Sequence, residues 1–60
     1  MKIFKIDATE FNKKVGDTVK RGEVLGLKGN DKVVCDMDGK IISVYFDADN
    51  HILEILVDGD

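Results

Sequence analysis

The chain has no proline, no low-complexity run and no linker-like stretch, so nothing divides its 60 residues, which read as one domain spanning 1–60. A single cysteine, Cys35, excludes an intramolecular disulfide, and no Cys/His grouping has the spacing of a structural zinc site. No apolar run approaches the roughly 20 residues of a membrane-spanning helix, and Met1-Lys2-Ile3-Phe4-Lys5 lacks the apolar core of a signal peptide. The expectation is a soluble, cytoplasmic protein with no membrane partner. A domain of this size buries only about 60% of the surface that its unfolded chain exposes. Its stability is then a few kcal/mol, supplied by apolar residues and by a second copy if one binds.

The net charge of -3 conceals a split. Residues 1–30 carry seven Lys/Arg against four Asp/Glu, whereas residues 31–60 carry two against eight, so the halves are +3 and -6. Such a split favours attraction between the halves, within one chain or between two, and argues against a nucleic-acid surface.

What remains is alternation broken by Gly, Asn and Asp. Met1 to Ala8 places Phe4, Ile6 and Ala8 on one face and Lys5 and Asp7 on the other, the period of a half-buried strand. Thr9 to Lys14 is polar apart from Phe11 and reads as a loop or short helical turn, with Phe11 plugging one end of the core. Gly16 and Gly22 suit tight turns that need positive φ, and Val19 between them points inward. Glu23 to Lys28 sets Leu25 and Leu27 on one side, and Gly29-Asn30 is a two-residue hairpin signal. Lys32 to Met37 returns with Val33, Cys35 and Met37 inward. After an Asp38-Gly39 turn, Lys40 to Asp47 alternates Ile42, Val44 and Phe46 inward against Ile41, Ser43 and Tyr45 outward. A polar loop, Asp47 to Asn50, leads into His51 to Asp58, with Leu53, Ile55 and Val57 opposing Ile52, Glu54 and Leu56. About six short strands without a helix of ten residues predict an all-β sandwich or barrel.

Two turns carry a resemblance. Val15-Gly16-Asp17-Thr18-Val19-Lys20-Arg21-Gly22-Glu23-Val24-Leu25 resembles the V-G-D-x-V-x-x-G-D/E-x-L motif of biotinyl and lipoyl carrier domains, and Asp38-Gly39-Lys40-Ile41 resembles the D-G-x-I/V turn that opens their second half. The resemblance covers residues 12–57 and implies a small barrel-sandwich hybrid. It also implies an attachment lysine at a hairpin tip, which falls on Lys32, where Asp31-Lys32 matches the lipoyl D-K pair. The stretch from Lys32 to Gly39 is about four residues shorter than the family's, and removing two from each arm keeps the alternation while moving the tip to Gly29-Asn30. Lys32 is then a strand residue. The expectation is a non-catalytic interaction or accessory module without a cofactor; the alternative is a swinging-arm carrier with biotin or lipoate on Lys32.

Other chemistry is thinner. Asp47, Asp49 and His51 begin like a calcium loop, but Ile52 stands where the glycine is needed and Asp58 where a bidentate glutamate is needed, so no metal is expected, and a small-ligand or metal-binding domain through these three is the weaker third option. His51 lacks a nucleophile in a catalytic motif, and Cys35 sits beside Asp36, which disfavours a thiolate. Ile41, Tyr45, Ile52 and Leu56 all fall on the expected outer faces of the last two strands. They form a candidate interface for a protein partner or a second copy.

Overall fold

The computed structural model describes residues 1–9 and 11–59. Glu10, within the expected Thr9–Lys14 loop, lies outside the described residues. Six strands follow one another: β1 (Lys2–Asp7), β2 (Thr18–Val19), β3 (Val24–Lys28), β4 (Asp31–Val34), β5 (Gly39–Asp47) and β6 (Ile52–Gly59). They form a four-stranded sheet in the order β1-β6-β5-β2 and a separate β3-β4 hairpin, with every pairing antiparallel. The fold is all-β, as the alternation predicts.

Between the two sheets lie Phe4, Ile6, Val19, Leu25, Cys35, Ile41, Ile55 and Val57, with Phe11, Val33, Met37, Val44 and Leu53 packed against them. Burying one such side chain fully is worth about 1.5–3 kcal/mol. Phe4, Ile6, Val19, Leu53, Ile55 and Val57 all face the core as expected, and Phe11 closes against it from the loop.

The two turn motifs interlock. Gly16 N–H donates to the Ile41 carbonyl (2.8 Å), and Ile41 N–H donates back to the Asp17 carbonyl (2.9 Å). Thr18 and Val19 then pair with Lys40 and Gly39. Arg21 N–H donates to Asp38 Oδ1 (2.9 Å), Gly22 N–H to the Cys35 carbonyl (2.7 Å), and Cys35 N–H to the Glu23 carbonyl (2.8 Å). Gly16 and Gly22 have φ of 99° and 90°, a backbone that side-chain-bearing residues rarely adopt. The first motif therefore serves to hold the second, which fixes where β5 begins.

Two bulges alter the expected facing of side chains. Between β3 and β4 the register jumps from Val24↔Val34 to Gly26↔Val33, leaving Leu25 unpaired. Leu25 is buried and Gly26 lies against the Ile6 side chain, so both neighbours face the core. Leu27 consequently turns outward and is 47% exposed. Between β5 and β6 the register jumps from Ile41↔Val57 to Ser43↔Leu56. Ile42 is the extra residue and is exposed, whereas Ile41, expected outward, is fully buried. Beyond the bulge Val44 packs on the core and Tyr45 faces out, as expected; Phe46 is at the strand's end and stays half exposed. The return strand also stops at Val34 instead of reaching Met37, because Cys35 bonds across to the Gly22 and Glu23 turn.

Candidate functional site

The hairpin tip decides what Lys32 can do. Lys28 pairs with Asp31, so Gly29-Asn30 is the two-residue turn; Gly29 has φ of 63°, the positive value that glycine supplies at the first position of such turns. Gly29 N–H donates to Asp7 Oδ2 (2.9 Å), tying the tip to the end of β1. Lys2 and Asp36 form an ion pair between the start of β1 and the segment after β4, so the hairpin is tied to β1 near both ends. Lys32 lies on β4, opposite Leu27, with its side chain exposed.

The other candidate surface is the outer face of the four-stranded sheet. Successive residues of a strand point to opposite faces, and the registers line up three rows across β1, β6 and β5. These are Ile3, Leu56 and Ser43; then Lys5, Glu54 and Tyr45; then Asp7, Ile52 and Asp47. Ile3 is 54% exposed and Tyr45 62%, while Leu56 and Ile52 are half-buried by their neighbours. Tyr45, Ile52 and Leu56 are thus brought to one face as expected. Ile41 is corrected: the Ile42 bulge turns it inward, and it belongs to the core. Ile3 takes its place on the patch. The alternation of β1 already puts Ile3 with Lys5 and Asp7, but only the pairing of β1 with β6 sets it beside Leu56.

The 47–51 loop is held by its own hydrogen bonds. Asp47 Oδ1 accepts from Asp49 N–H (3.1 Å) and Asn50 N–H (3.4 Å), and Oδ2 accepts from Asn50 Nδ2 (2.9 Å), a self-capped turn. The Asn50 amide, first, and the two backbone donors hold the Asp47 carboxyl below its ordinary pKa. His51 closes the loop at φ 55° with its ring edge-on to Phe46 (centroids 5.8 Å apart). Among the described residues no group of three or more His, Cys, Asp or Glu side chains is placed to hold a metal ion. Cys35 is buried, and its thiol donates to the Met37 carbonyl (3.0 Å).

A half-open depression of about 340 Å³ lies between the Phe11–Lys13 loop and the start of β3. Its charges answer one another: Lys13 Nζ pairs with Glu23 Oε2 at 2.8 Å, and Glu23 Oε1 accepts from Lys20 N–H (3.2 Å). The Lys13 hydrogen bond holds the Glu23 carboxyl below its ordinary range, and Glu23 raises the Lys13 ammonium in turn.

Comparison with known proteins finds no matching family model, no similar curated protein and no matching solved structure. The likeness to biotinyl and lipoyl domains rests on the residues of the two turn motifs.

Proposed function

We propose that this chain is a non-catalytic, cytoplasmic interaction module with a biotinyl/lipoyl-like fold, and that it docks onto protein through the outer face of β1, β6 and β5. The observation that carries the reading is the clustering of Ile3, Tyr45, Ile52 and Leu56 on one sheet face, on the side away from the core. Scattered apolar residues on a surface are ordinary, but a contiguous group is a common mark of an interface. The edges are less suited to docking: β4 has four residues and begins Asp31-Lys32, and β1 carries Lys2 and Lys5, the charges that discourage strand addition.

Changing Tyr45→Asp together with Leu56→Asp removes the patch without touching the core. We expect the variant to keep its β-sheet circular dichroism and to lose a change in solution size or a protein captured by the wild type from its native host. If neither the size nor the captured material differs between the two, the face is ordinary surface.

The carrier alternative draws on one observation, the exposed Asp31-Lys32 pair next to the turn. It is read out by intact mass of protein from the native host. A lipoyl-sized or biotinyl-sized increment that disappears in Lys32→Ala would replace the interaction reading with the carrier one.

A further inference from the structure

The patch is self-complementary, and we infer that its partner is a second copy of this chain. The inference rests on the interaction reading above and narrows it to one occupant. Consider a two-fold axis running parallel to the strands, midway between β1 and β6, with the two sheets stacked face to face. Stacked sheets lie about 10 Å apart. The operation exchanges the β1 and β6 columns and keeps each row in place. Because Ile3, Lys5 and Asp7 sit directly beside Leu56, Glu54 and Ile52, each Ile3 then meets Leu56 of the other copy, and each Lys5 meets the other copy's Glu54. Both contacts occur twice, as an isologous interface requires.

Charge also selects this axis among the simple ones. An axis along the middle of β6 sets Glu54 against Glu54 and Asp7 against Asp47, given the same three rows. An axis across the strands through the middle row sets Lys5 against Lys5. Like charges facing each other at an interface are unfavourable. Of the axes parallel to the strands, only the one between β1 and β6 brings unlike charges together, and it places Tyr45 at the rim, beside the exposed β1 strand of the other copy; an axis across the strands between the second and third rows sets Lys5 against Asp7 but leaves Ile3 and Leu56 without a facing row. The chain also gains from it. Among the described residues, Ile3 and Tyr45 on this face are large apolar side chains more than half exposed, and a small domain without a disulfide is commonly completed by association.

The test uses charge reversal at the two central positions, read by sedimentation velocity over a concentration series and by native mass spectrometry. Wild type should form a concentration-dependent dimer. Lys5→Glu gives a face with two acids and Glu54→Lys a face with two bases, so each alone should sediment as monomer. Mixed in equal amounts, they should form a heterodimer in preference to either homodimer, because every acid then meets a base across the axis. Circular dichroism of each variant, measured first, establishes that both remain folded; if reversal unfolds one, Lys5→Gln and Glu54→Gln replace the pair, and each should weaken the dimer several-fold. A wild type that stays monomeric at every concentration overturns the inference, as does a mixture that shows no preference for the heterodimer. A monomer that still captures a different protein, and loses it on Tyr45→Asp with Leu56→Asp, removes the second copy but leaves the interaction module standing; a monomer that captures nothing removes both.

Discussion

Gly16, Gly22 and Gly29 have open space around them and are held by positive φ, whereas Gly39 has no room to change. Gly39 pairs with Gly59 at the start of β5, and a methyl group there would be driven into the Asp58 carbonyl oxygen and lie 2.9 Å from Val57 Cγ1. Backbone cannot yield as a side-chain tip does, so Gly39→Ala should cost at least the about 1–3 kcal/mol typical of overpacking. A urea titration checks it, and a midpoint unchanged from wild type would show that β5 shifts freely. Charge at single residues acts more gently. Glu23, bonded first by Lys13 and also by Lys20 N–H, has its folded pKa depressed below the ordinary 4.5. Its contribution is therefore present above that value and lost as pH falls through the lower folded one. The raised Lys13 pKa acts in the opposite sense, its contribution being full below the ordinary 10.5 and lost as pH rises through the higher folded value. Both side chains are about a third exposed, which keeps the effect small. The urea midpoint should be level around neutrality and decline in acid, and Glu23→Gln should make that acid decline shallower. Asp36, held low first by Lys2, and Asp47, held low first by Asn50, account for the part that remains.

At the scale of the strands, alternation was readable wherever the register runs unbroken and misleading wherever it does not. β1 and β6 keep one residue per partner throughout, and their core residues Phe4, Ile6, Leu53, Ile55 and Val57 follow directly from a period of two. β3 and β5 each insert one residue, and a single insertion exchanges inside for outside. The β5 insertion has no mark in the sequence, since Ile42 is an ordinary apolar strand residue; the β3 insertion has only Gly26 beside it, an isolated strand glycine of the kind that often marks a bulge. The hairpin turn was legible because Gly29-Asn30 is turn chemistry in its own right, and with it the place of Lys32 on β4. The patch was legible in three of its residues, and the fourth needed the β1-β6 pairing. The Ile42 bulge also makes a sharp comparison within one strand. Ile41→Ala should cost about 2–5 kcal/mol, as deletion of a fully buried branched side chain does, enough to unfold much of a domain this small. Tyr45→Ala, four residues along on the open face, should move stability by no more than about 0.5 kcal/mol. Equal effects would mean that the bulge does not set which residues face the core.

Over the whole molecule, three of the four strand pairings join the first half of the chain to the second: β1 with β6, β2 with β5 and β3 with β4; the fourth, β5 with β6, lies within the second half. The halves carry +3 and -6, and the split meets as opposite charges across the β1-β6 and β3-β4 ladders. Lys5 stands opposite Glu54, Lys28 opposite Asp31, and Lys2 pairs with Asp36. Cross-strand pairs of opposite charge contribute roughly 0.2–1 kcal/mol each, modest alone but acting in one direction here. The first half has no strand pairing within itself, and the second keeps only the β5-β6 hairpin, a two-stranded unit that is marginally stable at best in water. A chain severed between Gly29 and Asn30, at the exposed tip, should yield two fragments that are each unfolded alone. Mixed, they should regain β-sheet circular dichroism, drawn together by opposite net charge and held by the shared core of Phe4, Ile6 and Val19 from one side with Ile41, Ile55 and Val57 from the other. Association should weaken as salt is added, because exposed charges are screened beyond about 10 Å at 0.1 M ionic strength. Recovery that is indifferent to salt would assign the assembly to the apolar core alone, and sheet structure in the first fragment by itself would contradict the dependence of its strands on the second half.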